Sequence, residues 1–266
     1  MIWQGAHRMR NLRILLATLA TFAALVIWRE TYSLQCASGA IPLLAIALIG
    51  FQTAEYAVFR RRCFADCAFE AGSFLHRFYS RTFLSILIAI FVSVVAGLSL
   101  LFNLLTWTEP VLALLAVDGL FLAFVTPAVI GVGSRHLRPG IARIATKNIV
   151  AAVNAALLLA PLLAIQYYSP FPAFVDQASL TNTISQAFQS FGSQCVPTDV
   201  LTKLQVAKEG FSWWLMLKAN VQLTDPTFRV AAWIIFLVSG SLSVWAYSKL
   251  IVQVADLASG SGERNG

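Results

Sequence analysis

Charge is what this chain is short of. Asp, Glu, Lys and Arg together make up 12% of its 266 residues, against about 25% in ordinary soluble domains. The shortage is uneven. Charges gather in short segments and leave several uncharged runs of about 17 to 25 residues, the length that crosses a hydrocarbon core of about 30 Å. That pattern excludes a soluble globular domain. Alternating ten-residue strand segments are also missing, which excludes a transmembrane β-barrel. Histidine is scarce as well. His7, His76 and His136 all fall between the apolar runs, so no paired histidines stand inside a bundle to hold a haem or a di-metal site. The sequence has no glycine-rich phosphate loop, no paired-histidine zinc helix and no Gly-x-Ser-x-Gly elbow. The expectation is a protein that is not an enzyme and uses no metal and no cofactor.

What is present is apolar. Hydrophobic residues make up 58% of the chain and the mean hydropathy is +0.74. The expected fold class is all-α: a polytopic membrane helix bundle with six transmembrane helices, at about 14–28, 41–59, 83–105, 110–132, 149–166 and 230–252. The chain divides into a five-span region, 1–166, a long polar insert, 167–228, and the sixth span with a short tail, 229–266. Ser38-Gly39-Ala40 would suit cleavage of a leader, but it lies ten residues beyond the first apolar run. A retained first span is therefore the expectation.

Basic residues orient the spans. With six crossings, fourteen Lys and Arg fall on the side of the two termini, including Arg60, Arg61, Arg62, Arg143, Lys147 and Lys249. Only Arg29, Lys203, Lys208, Lys218 and Arg229 fall on the other. By the positive-inside rule both termini are cytoplasmic and 167–228 is outside, which in a bacterial inner membrane is the periplasm. The basic balance is read as orientation and lipid contact, with no nucleic acid as partner. The 60–81 segment interleaves Arg with Phe64, Phe69, Phe74, Phe78 and Tyr79; as a helix it would lie in the cytoplasmic interface.

Cys36 and Cys195 both fall outside, where disulfides persist, and are a candidate pair. Cys63 and Cys67, four apart, are expected to be packed thiols. Small residues recur every fourth position: Ser85, Ala89, Ser93 and Gly97 in the third span; Gly119, Ala123 and Gly131 in the fourth; Ala152, Ala156, Ala160 and Ala164 in the fifth. Such stripes let helices approach closely in lipid, and they predict a core built from spans three, four and five. Pro127 is expected to kink the fourth span.

The chemical candidate is Asp118. It lies eight residues after Pro110, roughly 12 Å into the membrane at about 1.5 Å per residue. An acid there faces a bundle interior, a cavity or a partner. It reads either as an ion or proton site or as a structural acid hydrogen-bonded to Asn103 or Asn154. No Lys, Arg or His is expected deep enough to be its counter-ion. Glu55 is expected at the interface near Arg60 and Arg61, and Gln52 one turn deeper.

The insert divides near 192–197. Leu180, Ile184, Phe188 and Phe191 share one helical face; Val200, Leu201, Leu204, Ala207, Phe211 and Leu215 share another, with Thr198 as N-cap. Two amphipathic helices are predicted. Trp213 and Trp214 are expected to anchor the second in the outer interface. Asp225-Pro226 is expected to cap and start the sixth span.

Six spans, an interfacial segment between spans two and three, and helices between spans five and six are similar in outline to the membrane subunits of ABC-type polysaccharide exporters. The likeness is one of topology and carries no residue across. The functional expectation is a transport component, that is a permease, channel or carrier subunit. The alternative is a non-transporting membrane subunit of a secretion, conjugation or other envelope assembly. Expected partners are membrane lipids and other protein subunits, identical or different.

Overall fold

The computed structural model describes residues 2–34, 39–70, 73–74, 82–137, 139–168, 174–176, 179–222 and 225–260. Its elements are α1 (Ile2–Thr31), α2 (Ala40–Ala68), α3 (Phe83–Thr106), α4 (Glu109–His136), α5 (Pro139–Tyr168), α6 (Leu180–Ser190), α7 (Val196–Gln222) and α8 (Pro226–Ala258). No strand occurs among the described residues. Five segments are long and apolar enough to cross a membrane: Met9–Thr31, Ala40–Ala68, Phe83–Thr106, Glu109–His136 and Ile141–Gln166. The chain has the helices of a multi-pass membrane protein. Large apolar side chains such as Leu43, Phe91, Val117 and Leu157 point outward from these helices, a surface that hydrocarbon covers and water does not. The expected sixth span falls within α8, a helix of 33 residues.

Helix ends follow local chemistry. Asp225 accepts a 2.8 Å hydrogen bond from Thr227 N, and Pro226 takes the first helical position of α8. Ser179 caps α6 through Asn182 N. Arg135 and His136 lie in the last turn of α4, where a cation suits the helix dipole. Thr198, the expected cap of α7, lies instead inside its first turn, because the helix starts at Val196. Pro127 sits inside α4, which continues through it to His136.

Ile14 of α1 and Ala255 of α8 share one cluster, so the first half of α1 and the last turns of α8 lie at one end of the bundle. That end is called the base here, and the opposite end, which carries α6 and α7, the crown. At the crown Ser193 Oγ donates to Tyr32 O at 3.0 Å and Gln194 N to Ser33 O at 3.3 Å. These bonds tie the insert to the end of α1.

The centre is α8. Residues 246–256 are all buried, the mark of a helix wrapped on every side. It packs against α1, α2, α3, α4, α5 and α7. This corrects the expectation of a core made by spans three, four and five. The stripe in α3 is buried, and a Cβ on Gly97 would stand 2.5 Å from Ile46 Cγ1, so α2 and α3 touch backbone to side chain. Gly119 and Ala123 are buried in α4, whereas Gly131 is open. In α5 the stripe is on the wrong face: Ala152, Ala156 and Ala160 are exposed, and Ala151, Asn154, Ala155, Leu158 and Leu162 form the buried side. Alanine is small enough to face either lipid or a neighbour, so its period alone does not choose.

The base end of α2 also differs. The helix runs nine residues past the expected span and carries Arg60, Arg61 and Arg62 within it. Cys63 and Cys67 are free and exposed on its open side rather than packed, while Ala65 is buried on the other. His76 and most of the 60–81 interface helix beyond α2 lie outside the described residues.

Candidate functional site

Along α8, buried polar groups meet its neighbours in three layers, on different faces of the helix. Helix geometry sets their spacing. Ser243, Ser248, Gln253 and Asp256 belong to one helix, so at about 1.5 Å per residue the layers cover roughly 20 Å with steps of about 5–8 Å.

The crown layer joins α3, α7 and α8. Asn103 Nδ2 donates to Ser243 Oγ at 2.6 Å, and Gln205 Nε2 donates to Asn103 Oδ1 at 2.8 Å. A cavity opens beside them, lined by Asn103, Gln166, Gln205, Lys208, Glu209 and Ser212 with Trp107, Trp213 and Phe236. It leaves about 60 Å³ for water, and one water needs about 10–15 Å³. The space suits a few waters or a bare ion, not an organic substrate. Glu209 is half-buried, but its Oε2 is enclosed without a hydrogen-bond partner. Burial pushes its carboxyl up to about 7 from an ordinary 4.5, opposed by a hydrogen bond with Thr106, the Lys208 charge and a hydrogen bond with Trp213. Burial likewise lowers the Lys208 ammonium, with Glu209 opposing.

The middle layer joins α4, α5 and α8. Asn154 Nδ2 donates to Asp118 Oδ2 and to Ser248 Oγ, each at 3.0 Å. All three residues are buried. Beside them Tyr247 Oη donates to the Leu115 carbonyl. Of the two asparagines considered for Asp118, only Asn154 is bonded to it; Asn103 belongs to the crown layer. No cation within ion-pair distance of Asp118 is found among the described residues.

The base layer joins α2, α5 and α8, and it was not among the sequence-based expectations. Lys147 Nζ lies 2.6 Å from Glu55 Oε2 and 3.2 Å from Asp256 Oδ2, and donates to Gln253 Oε1 at 3.3 Å. Arg143 grips Asp256 from the other side, Nε to Oδ1 at 3.0 Å and Nη2 to Oδ2 at 2.8 Å. Lys147 was counted as a loop cation and Lys249 as a cation at the cytoplasmic end of the sixth span; in the fold both are buried. Glu55 pairs with Lys147 rather than with Arg60 or Arg61. It stands 92 positions from Lys147 in the chain, and Asp256 is further still, so no local pattern reveals the pairing. One signal was available: Lys249, Gln253 and Asp256 fall at steps of four and three, on one helical face.

Several buried polar atoms have no protein partner: Thr18 Oγ1, Thr126 Oγ1, both amide atoms of Gln52 and Gln253 Nε2. Buried polar groups nearly always find a partner, so each needs a water or an ion. No group of His, Cys, Asp and Glu able to hold a metal is found among the described residues.

No protein-family model, curated protein or solved structure matches this chain. The residues alone carry the reading.

In the insert, Trp213 is buried against Phe236, ring centroids 5.0 Å apart, and lines the crown cavity. Trp214 is half-buried, with Lys218 Nζ 5.8 Å from its ring. The apolar stripes are turned relative to expectation. The face of α6 against α7 is Thr183 and Ala187, whereas Phe188 is exposed. The inner face of α7 is Thr202, Val206, Trp213, Met216 and Ala219, whereas Val196, Val200, Leu204 and Phe211 are exposed. Inward positions are taken by residues small or flat enough to fit against α6 and α8. Cys36, one half of the candidate disulfide with Cys195, lies outside the described residues.

Proposed function

We propose that this chain is a six-span transport component that passes protons or small cations along the polar layers around α8. The sixth span is α8 itself, the base is cytoplasmic, and the crown faces outward in a bacterial inner membrane. The observation that carries the reading is the Asp118–Asn154–Ser248 cluster. It holds an acid near mid-membrane with neutral partners only. It stands between a water-sized crown cavity and the ion-paired base. An acid paired to a cation would be locked; one held by a neutral amide can take up and release a proton at lower cost. The axial steps of about 5–8 Å between layers are too long for direct transfer, so the reading requires bridging waters. The unpartnered atoms of Gln52 and Gln253 would hold such waters.

The test is proton and cation flux into liposomes holding the purified chain, with a pH-sensitive dye inside. Wild type is expected to conduct under an applied potential, and Asp118→Asn to lose at least about tenfold. Flux equal in the two proteins would remove Asp118 as the carrier and sink the reading.

A second reading is favoured by the α7 stripe. Val196, Val200, Leu204 and Phe211 recur at helical spacing and are exposed, which suits a non-transporting subunit whose crown docks an envelope partner. Purification in mild detergent that yields this chain alone would count against it.

A further inference from the structure

A second cavity, of about 400 Å³, lies on the flank of the bundle at the base, between α2, α3, α5 and α8. It falls in the range of small-molecule sites, about 300–1,000 Å³, unlike the crown cavity. Its polar lining is Thr53, Tyr56, Arg60, Asn148 and Lys249. Its apolar lining includes Ile88, Val92, Ile149 and Ala152, and Ile88 and Ile149 are exposed to the outside of the bundle. The mouth therefore opens sideways, where acyl chains would run.

Lys249 is the odd charge. It is 2% exposed. Its hydrogen-bond partner is Thr53 Oγ1 at 3.3 Å, and its Nζ lies 4.4 Å from the Trp245 ring centroid. The neighbouring base layer is already balanced, Arg143 and Lys147 against Glu55 and Asp256. Lys249 is thus a surplus buried cation, and such a charge is costly unless an anion meets it. Arg60, exposed at the mouth, adds a second positive charge. Lys249 lies three residues inside the expected end of the sixth span, about 4.5 Å, just below the headgroup region.

We propose that this flank cavity binds the phosphate headgroup of an anionic phospholipid from the leaflet at the base. Lys249 contacts the phosphate, Arg60 closes over it, Asn148 and Tyr56 bond to its oxygens, and the acyl chains lie along Ile88, Val92 and Ile149. The inference rests on the membrane reading above but not on conduction.

Native mass spectrometry of the detergent-purified chain, titrated with dioleoylphosphatidylglycerol or dioleoylphosphatidylcholine, tests it. Wild type is expected to hold one phosphatidylglycerol at least about tenfold more tightly than phosphatidylcholine. Lys249→Met is expected to remove that preference and Lys249→Arg to keep it. Should Lys249→Met misfold, Ala152→Trp tests the same point, since it fills the cavity from an exposed position without changing charge. Equal affinity for the two lipids, or undiminished phosphatidylglycerol binding by Ala152→Trp, overturns the proposal. So does displacement of the lipid by millimolar glycerol 3-phosphate, which would make the site one for a soluble phosphate. Loss of flux with lipid binding intact would count against the conduction reading alone, and the reverse result against this one alone.

Discussion

Lys147 Nζ lies 3.2 Å from Asp256 Oδ2, and the two side chains are 1% and 0% exposed. One is on α5 and the other is near the end of α8, so the pair fixes the base of the central helix against its neighbour. Breaking a buried pair strands a charge and typically costs about 3–5 kcal/mol. Asp256→Asn is expected to be worse than Lys147→Met, because it strands Arg143 as well. The double variant is expected to lose less than the two single losses together, by about 0.5–3 kcal/mol, as for residues in one network. Denaturant unfolding in detergent measures all three; strictly additive losses would show that the pair is not coupled.

Glu209 makes stability depend on pH. Its carboxyl is raised to about 7 from 4.5, so the folded chain favours the protonated form more than the unfolded chain does. The contribution is full below pH 4.5 and is lost as pH rises through 7. A tenfold change in proton affinity is worth about 1.4 kcal/mol, which bounds the loss at about 3–4 kcal/mol, and partial exposure of the side chain brings it lower. The melting temperature in detergent is expected to fall between pH 5 and pH 8, and Glu209→Gln to flatten that fall. An equal fall in both proteins would assign the pH dependence elsewhere.

Gly97 permits the contact of α3 with α2. A Cβ there would meet Ile46 Cγ1 at 2.5 Å, with Ile46 Cβ and Cα close behind. Ile46 is branched at that point and cannot swing clear, so Gly97→Ala is expected to cost about 1–3 kcal/mol. Gly131→Ala, with nothing within 4 Å of its Cβ, is expected to be neutral or stabilising, since alanine favours helix. Comparable melting temperatures for the two variants would contradict the packing.

Thiol counting tests the outer staple. Ser33 and Gln194 are hydrogen-bonded across the crown; they precede Cys36 by three residues and Cys195 by one. The denatured, unreduced protein is expected to expose two thiols, those of Cys63 and Cys67, and to expose four after reduction. Four thiols without reductant would show that no such bond forms.

Apolar length, the Asp225-Pro226 cap and the split of the insert into two helices were legible in the residues alone. Each is a property of contiguous positions, and water or lipid acts on it locally. Asp118 stood out for the same reason, because a lone acid in an apolar run is visible without a fold. Which faces meet was a different matter, settled by packing. The Ala152 stripe and the Val200 stripe both look like contact surfaces, yet each is turned outward, because a helix can bury whichever face its neighbours fit best. Nor could spacing reveal that Lys147 leaves the loop it was counted in, or that Lys249, near the end of the sixth span, is enclosed. Lys147 finds its carboxylates on α2 and α8, and Lys249 is enclosed where α2 packs against α8. Those environments exist once α8 is wrapped by the rest of the bundle.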